Sequence, residues 1–275
     1  TSTTGAQAST TTTTERPQTS SSTTIYAPRC RPDPFDGTFP SDLERRFPDQ
    51  QITAHVRDLD TGCDYALNPG NRQRTASVFK VMVLAGTLLE AQSDLRQVTE
   101  TELGLLLPMI TESANEPVRA LWRSFGGSPW FARTGATLGL DETSITADGG
   151  SAWGATRTSA SDQVDLLGMI LLGDENLFSS NSMGLALDLM TSVVDGQTWG
   201  VTAGVPRTWQ VAQKNGFAAQ ISTSVCCAHP PGAPSGYLVA ILSDGWPDHP
   251  SGIAAVEFVS LRIAEAMVDR VTEAR

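Results

Sequence analysis

A serine stands three residues before a lysine at the start of a long apolar run, between Thr75 and Leu89. Residues three apart on a helix share a face, so the side chains of Ser77 and Lys80 can touch. A serine hydroxyl becomes a good nucleophile only when a neighbouring base takes its proton. A lysine can act as that base only if desolvation or nearby positive charge lowers its pKa. The segment therefore predicts an activated serine on the first turn of a buried helix.

Lysine is rare in this chain. Of its 19 lysines and arginines, only Lys80 and Lys214 are lysines. Arginine stays protonated in proteins and cannot serve as a base. The use of lysine at these two positions therefore indicates a chemical requirement. The competing interpretation of Lys80 is an ordinary solvated lysine on a helix surface.

Composition and charge restrict the function classes. The chain has 275 residues, 40% of them hydrophobic, which is enough to bury a large core. A net charge of −11 argues against nucleic acid and against anionic lipid as partners. No apolar run is long enough to span a membrane. Residues 1–24 are mostly Ser and Thr and are expected to form a disordered spacer of the kind that tethers an exported domain. We therefore expect a secreted protein or a membrane-anchored lipoprotein.

Four cysteines, at positions 30, 63, 226 and 227, allow three pairings. An even number in an exported protein favours disulfides. A bridge between adjacent residues is strained, so we expect Cys30 or Cys63 to pair with Cys226 or Cys227. Cys226, Cys227 and His229 lack the second ligand pair that a zinc site requires. No metal and no other cofactor is predicted.

The pattern of elements predicts an α/β (α+β) fold. Apolar and polar residues alternate from Ile52 to Val56, and a turn and a second strand follow, which indicates a hairpin. From Ser77 to about Val194 the spacing of apolar residues is typical of helices. Three strand-like runs follow, namely Trp209–Lys214, Ile221–Cys227 and Tyr237–Leu242. Phe217-Ala218-Ala219 separates the first run from the second. A final amphipathic helix extends through Val271.

We therefore predict a five-stranded antiparallel sheet flanked by N- and C-terminal helices, with an inserted all-helical subdomain. The sheet subdomain would comprise residues 25–75 and 205–275, and the helical subdomain residues 76–204. A cleft between the two is the natural place for a site.

Two further motifs follow the Ser77–Lys80 pair. They are Ser113-Ala114-Asn115 and Lys214-Asn215-Gly216. With them the chain resembles the penicillin-recognising serine hydrolases, specifically class A β-lactamases and related penicillin-binding proteins, whose signatures are Ser-x-x-Lys, Ser-Asp-Asn and Lys-Thr-Gly. The resemblance covers about residues 40–275 and implies the β-lactamase-like fold.

The resemblance implies a role for each residue that matches a motif. Ser77 would be the acylated nucleophile, and Lys80 its base or the partner of its base. Ser113 would pass a proton to the leaving group, and Asn115 would position Lys80 and the substrate. Lys214 would attract a substrate carboxylate and depress the pKa of Lys80.

Substrate binding is expected at Asn215, Gly216 and Phe217. The resemblance implies an oxyanion hole formed by the backbone N–H groups of Ser77 and Phe217. Two departures alter this region, because Ala114 replaces the family's aspartate and Asn215 its threonine. Hydrogen bonds at the second motif and to the substrate carboxylate should therefore differ from the family pattern.

The loop between Ile145 and Thr156 is short and contains no glutamate. In class A enzymes a glutamate in this loop activates the water that hydrolyses the acyl-enzyme. Asp148 falls nearby, but its side chain is shorter, and a surface aspartate is the competing interpretation. We therefore expect a protein that is acylated but deacylates slowly.

Two functions remain open at this stage. The first is a hydrolase, a serine acyl-transfer enzyme that acts as a monomer outside the cytoplasm on a β-lactam or a D-alanyl peptide. The second is a non-catalytic envelope lipoprotein that retains the fold as a ligand- or cell-wall-binding module. Ala114 and Asn215 favour the second, whereas the intact lysines favour the first.

Other chemistry has little support in the sequence. A Ser-His-Asp triad would need one of three histidines. His55 lies in an early strand and is expected to be structural, while His229 and His249 lie in proline-rich turns and are expected to be exposed. Of the six tryptophans, Trp122 fits helix packing, and we retain three as possible cleft residues: Trp153, Trp199 and Trp246.

Overall fold

The computed structural model describes residues 1–2, 29–146, 152–173, 177–233 and 235–268. Nearly all of the expected spacer, residues 1–24, lies outside these ranges, as do Asp148 and Val271. No helix in the described part of the chain is long and apolar enough to cross a membrane.

The described residues include seven strands and eight α-helices. The strands are β1 (Gln51–Asp58), β2 (Asp64–Leu67), β3 (Gln73–Arg74), β4 (Arg157–Thr158), β5 (Gln210–Ala218), β6 (Ile221–His229) and β7 (Tyr237–Asp244). The helices are α1 (Phe39–Arg46), α2 (Phe79–Ser93), α3 (Glu100–Thr111), α4 (Glu116–Phe125), α5 (Ser128–Thr137), α6 (Ala160–Gly168), α7 (Ser180–Thr191) and α8 (His249–Val268).

The main sheet has the order β2-β1-β7-β6-β5, and every neighbouring pair is antiparallel. This confirms the predicted five-stranded sheet with helices inserted between its second and third strands. Strands β3 and β4 form a separate two-stranded pair. Because β5 is at the edge of the sheet, one side of its backbone is free to face the helices.

Side chains alternate between the two faces of the sheet, so each face has its own core. On one face, residues such as Val225 and Leu242 pack with the inserted helices, including α2. On the other face, residues such as Val239 and Ile241 pack against α8. The α2 helix is buried almost all round, so a polar group placed on it is held away from water.

The predicted cysteine pairing is wrong. Cys30 is bonded to Cys63, with their Cα atoms 5.7 Å apart, whereas Cys226 and Cys227 are buried free thiols. The reason is strand geometry: successive residues of β6 point to opposite faces, which places Cys226 in the core under α8 and Cys227 in the core under the helical insert. Burial raises the pKa of the Cys227 thiol to about 12 and also raises that of Cys226.

The boundary of β5 also differs from the prediction. Phe217-Ala218-Ala219 was expected to separate two strands, but β5 continues through Ala218, which pairs with Ile221. The connection consists only of Ala219 and Gln220, and Gln220 adopts a positive φ of 67°. A two-residue hairpin loop needs such a backbone conformation. As a result, Phe217 lies on the edge strand beside the helical insert.

Candidate active site

Ser77 lies in a single 3₁₀ turn, Ala76–Val78, immediately before α2. Ala76, the residue before it, has a φ of 42°, an uncommon conformation for a residue with a side chain. The edge strand packs tightly on this turn, because a Cβ added to Gly216 would lie only 2.8 Å from the Ser77 nitrogen. Gly216 is therefore required by close backbone approach. The turn leaves Ser77 half-exposed above the buried helix.

Lys80 is completely buried, and its Nζ is surrounded by oxygens. It lies 2.8 Å from Ser77 Oγ and 2.9 Å from Asn115 Oδ1, and 3.1 Å and 2.6 Å from the Oγ and backbone O of Ser113. Desolvation lowers the pKa of Lys80 to about 7. A neutral amine keeps a lone pair, so near neutral pH Lys80 can accept the proton of the Ser77 hydroxyl.

Ser113 connects the two lysines. Its Oγ lies 3.1 Å from Lys80 Nζ and 2.9 Å from Lys214 Nζ. The residue follows α3 and has a φ of 61°, and the next residue donates its backbone N–H to Pro108 O at 3.0 Å. This strained turn directs the hydroxyl into the gap between the two amines, where it can pass a proton.

Lys214 on β5 is 1% exposed. Its Nζ contacts Ser113 Oγ at 2.9 Å and the backbone O of Asn215 at 2.7 Å. Burial, and after it the positive charge of Lys80, lowers the pKa of Lys214 well below its usual value. Within the described part of the chain, the hydrogen-bond partners of both lysines are hydroxyl, carbonyl or amide oxygens. Neither lysine has a carboxylate partner there, so the pair is electrostatically unbalanced.

Asn215 of the third motif and Phe217, which follows the motif, lie in different environments. The Asn215 side chain is buried, and its Nδ2 donates to Gln197 O at 2.7 Å and Trp199 O at 2.9 Å. Its Oδ1 accepts a hydrogen bond from Ser224. Asn215 therefore ties β5 to the preceding loop, with its amide engaged inside the protein. Phe217, by contrast, lines the cleft beside Ser77.

The cleft above Ser77 has a volume of about 300 Å³. Trp153 and Phe217 form two of its walls, and Asn115 and Arg74 also line it. The Trp153 ring centroid lies 5.2 Å from Lys80 Nζ, so this indole helps to shield the amine from water. None of the described residues that line the cleft carries a carboxylate. Asp148 lies outside the described residues.

The other tryptophans considered from the sequence lie elsewhere. Trp246 is buried and donates from Nε1 to Ser243 Oγ at 2.8 Å, so it belongs to the core rather than the cleft. Trp199 lies behind the Phe217 wall, where its ring contacts the ring of His249. Trp122 packs on Phe79, as its helical spacing predicted.

His249 and Arg74 lie near the site, but neither was predicted from the sequence to be a site residue. His249 was expected to be exposed but is half-buried, because its ring stacks on Phe217 with centroids 4.1 Å apart. His229 was also expected to be exposed, yet as the last residue of β6 it is half-buried. His55 is structural in character, with Nε2 2.8 Å from Asp64 Oδ1. Only the tertiary fold brings the start of α8 to β5, so no local signal marks His249.

Comparisons with known proteins agree with this architecture. A model of the β-lactamase enzyme family matches residues 101–267. A β-lactamase from Xanthomonas campestris pv. campestris is 17% identical, with a TM-score of 0.72 over 82% of this chain and 95% of that chain. An ancestral class A β-lactamase is 21% identical, with a TM-score of 0.70 over 82% and 97% of the two chains.

A third solved structure is a variant of PBP-A, described as an acyl-enzyme complex with penicillin G. It is 20% identical, with a TM-score of 0.72 over 82% of this chain and 93% of that chain. At these identities the likeness is one of fold. No curated protein sequence matches the chain.

Proposed function

The chain belongs to the β-lactamase enzyme family, and on this basis we propose that it is an acyl-transfer enzyme in which Ser77 is the nucleophile. The substrate would be a β-lactam, a D-alanyl peptide or a related ester or amide. The observation that carries the proposal is the contact of 2.8 Å between Ser77 Oγ and a buried Lys80 amine. Membership of a serine hydrolase family and an activated serine point to the same reaction class.

The proposed reaction begins with proton transfer. Neutral Lys80 takes the proton of Ser77 as the hydroxyl oxygen attacks the substrate carbonyl carbon. The new C–O bond forms and the C–N or C–O bond to the leaving group breaks. The proton then passes through Ser113 to the leaving nitrogen or oxygen, since Ser113 Oγ lies within 3.1 Å of Lys80 Nζ.

Charge develops on the carbonyl oxygen during this attack. We propose that the backbone N–H groups of Ser77 and Phe217 bind it. Gly216 lets the Phe217 strand approach the Ser77 turn closely enough for both groups to serve. Each such donor typically contributes about 3 kcal/mol to transition-state stabilisation. Lys214, fixed behind Ser113, would keep the pKa of Lys80 low in the proposed cycle.

Slow deacylation is part of the proposal. Hydrolysis of the acyl-enzyme requires a base that activates water, and no described residue lining the cleft supplies a carboxylate for this step. The acyl group should therefore persist on Ser77. The PBP-A variant described as an acyl-enzyme complex with penicillin G supports the idea that such an intermediate can persist on this fold.

We also propose that the protein functions outside the cytoplasm. The Cys30–Cys63 disulfide supports this location, because disulfides form and persist mainly in oxidising compartments. Residues 1–24 would then act as the spacer between the folded part and a membrane tether.

The test is intact-protein mass spectrometry after incubation with benzylpenicillin and, separately, with an alkyl fluorophosphonate. We expect a stable adduct on the native chain and none on Ser77→Ala. The control variant Ser251→Ala alters a half-buried serine in the first turn of α8, outside the cleft, and should keep the adduct. Rapid nitrocefin hydrolysis would contradict the slow step.

The alternative is a non-catalytic envelope module that keeps the fold as a ligand- or cell-wall-binding cleft. The inward-turned Asn215 amide favours it, because the third motif has taken on a structural role. Absence of an adduct with both reagents would support this alternative and refute acyl transfer. Two buried lysines that have no carboxylate partner among the described residues favour the enzyme, because such a pair costs stability and is better explained by a catalytic role than by packing.

A further inference from the structure

The entrance to Ser77 has apolar walls beside its polar groups and carries no free charge among the described residues. The walls of the cleft include Trp153, Phe217 and Ile221. Arg74 is the one charged residue among the described ones that line it, and its Nε and Nη2 donate to the Asp244 carboxylate at 2.8 and 2.7 Å. An incoming anion would meet a guanidinium that is already neutralised. Apolar substrate groups should therefore enter more easily than charged ones.

The groups that could hold a substrate carboxylate are directed inward. Both N–H groups of the Asn215 amide have backbone carbonyl partners, and its oxygen has the Ser224 hydroxyl. Lys214 is 1% exposed and already contacts two oxygens. A carboxylate bound here would lose its hydration without gaining matched donors, which is unfavourable.

The Phe217 ring is presented to the cleft in a fixed position. It is 51% exposed, yet it is supported from behind by His249, with ring centroids 4.1 Å apart and an interplanar angle of 21°. The His249 ring in turn meets the edge of Trp199 at 5.3 Å. A rigid ring that is open on one side can stack with a ligand ring at little entropic cost.

We propose that the cleft selects an uncharged acyl donor whose aromatic or bulky apolar group lies against Phe217, without recognition of a carboxylate. The inference rests on the proposed function, since the acyl group is the one transferred to Ser77. The covalent step is the same: the Ser77 C–O bond forms, the bond to the leaving group breaks, and the serine proton goes to the leaving atom. Phe217 acts here as a specificity residue through its side chain.

The first test compares benzylpenicillin with its methyl ester, which differ only in the carboxylate. The second-order rate of adduct formation on Ser77 is measured by mass spectrometry. We expect the ester to react at least as fast as the acid, because no described residue that lines the cleft offers an unpaired positive charge to the carboxylate. An acid that reacts more than about tenfold faster would show carboxylate recognition worth about 1.4 kcal/mol and overturn the proposal.

The second test measures the preference for an aromatic acyl group, given by the rates with 4-nitrophenyl phenylacetate and 4-nitrophenyl acetate. Phe217→Ala should lower this preference about tenfold, the size of a lost ring contact with its buried area. The matched control is Leu107→Ala on α3, because Leu107 is 50% exposed and Phe217 51%. An equal preference in Phe217→Ala and the native chain would overturn the role of Phe217.

An alkyl fluorophosphonate separates failure of this inference from failure of the proposed function. It has neither an aromatic acyl group nor a carboxylate, so it reports only whether Ser77 is nucleophilic. Suppose that the fluorophosphonate labels Ser77, but benzylpenicillin reacts much faster than its methyl ester or Phe217→Ala keeps the native preference for the aromatic acyl group. The proposed selectivity is then overturned, and acyl transfer by Ser77 stands. No labelling by any reagent overturns both.

Discussion

Arg31 and Lys80 are both buried cations, but only Arg31 faces carboxylates. Arg31 is 7% exposed, and its Nε donates to Asp58 at 2.9 Å while Nη2 is paired with Asp60. Its Nη1 donates to Met267 O at 2.7 Å, which ties the N-terminal arm to α8. Lys80 is equally buried, and its partners in the described chain are neutral oxygens.

The Arg31 cluster and the Lys80 cluster show that burial of a basic side chain can have two different effects. In the first, the guanidinium has carboxylate partners and a backbone hydrogen bond, so burial fixes its geometry. In the second, desolvation lowers the pKa of Lys80 to about 7, and no carboxylate among the described residues opposes this shift, so the amine is available as a base. We call the Arg31 cluster balanced because its cation has carboxylate partners, and the Lys80 cluster unbalanced because its described partners are neutral oxygens. The balanced cluster stabilises the fold, and the unbalanced one could provide reactivity.

The largest effect should come from Lys80→Met, which removes the base and keeps an apolar side chain of similar length. We expect acylation of Ser77 by the fluorophosphonate to fall about 10²–10⁴-fold, the usual contribution of general base catalysis. The free energy of unfolding should be equal or greater, because a buried amine with no carboxylate among its described partners has been replaced by an apolar group. Adduct formation and urea denaturation measure the two quantities.

The control for this variant is Lys80→Arg, which keeps the positive charge but cannot act as a base. It should be at least as inactive as Lys80→Met and less stable, since a permanent charge would then be buried without a carboxylate. Near-native acylation in either variant would contradict the role of Lys80.

The opposite result is expected at the balanced cluster. Asp58 is fully buried, and Asp58→Ala leaves Arg31 without its main partner. Loss of one member of a buried pair typically costs about 3–5 kcal/mol. Urea denaturation should show this loss, while acylation of the folded protein at low temperature stays close to native.

Asp64→Ala is the matched control for Asp58→Ala. Asp64 also pairs with an arginine, Arg57, but its side chain is 40% exposed. An exposed pair is worth about 0–1 kcal/mol, so the variant should lose little stability. If the two variants lose similar stability, burial is not what distinguishes the Arg31 cluster.

A smaller effect concerns the disulfide beside Arg31. Cys30 and Cys63 close a segment with a sequence separation of 33, and the loss of a loop of this length typically costs about 3–4 kcal/mol. The double variant Cys30→Ser, Cys63→Ser should therefore be less stable in denaturation, with acylation little changed. Unchanged stability would show that the arm is held by Arg31 alone.

Thiol titration checks the cysteine assignment independently. In the native chain Cys226 and Cys227 are buried, and burial raises the pKa of both thiols. We expect no reaction with a thiol reagent until urea unfolds the protein, and then reaction of two thiols. Reaction of four thiols, or of none, would contradict the pairing.

Much of the fold was predictable because it depends on periodicity. Alternation marked β1, and the apolar run after Ser77 marked α2. The two buried lysines of the proposed site could be picked out for a chemical reason, since two lysines beside 17 arginines stand out in the sequence. Local spacing and residue type were sufficient for these features.

The errors share a physical cause, which is that side-chain direction depends on the tertiary fold. The cysteine pairing failed because adjacent residues of β6 enter separate cores. The inward direction of Asn215 depends on carbonyl groups of residues 197 and 199, far away in sequence. The stacking of His249 on Phe217 depends on where α8 begins relative to β5. Periodicity within a segment cannot report such contacts.

The smallest expected effect is on how stability depends on pH. The pKa of Lys80 is about 7 in the folded protein, against an ordinary value of 10.5 for an exposed lysine. Between these values the unfolded chain holds a proton that the folded chain has lost, so the unfolding free energy rises with pH. One such group contributes at most about 1.4 kcal/mol per pH unit. Lys214 contributes in the same direction, because its pKa is also lowered.

Urea denaturation of the native chain, Lys80→Met and Asp64→Ala between pH 7 and 9 measures this slope. The upper limit avoids the buried thiols, whose raised pKa values make stability fall at higher pH. Lys80→Met should have a shallower slope, whereas Asp64→Ala should keep the native one because it leaves both buried lysines in place. An unchanged slope in Lys80→Met would mean that Lys80 stays protonated in the folded protein. The proposed difference between the Arg31 cluster and the Lys80 cluster would then be wrong, because it depends on a lowered pKa of Lys80.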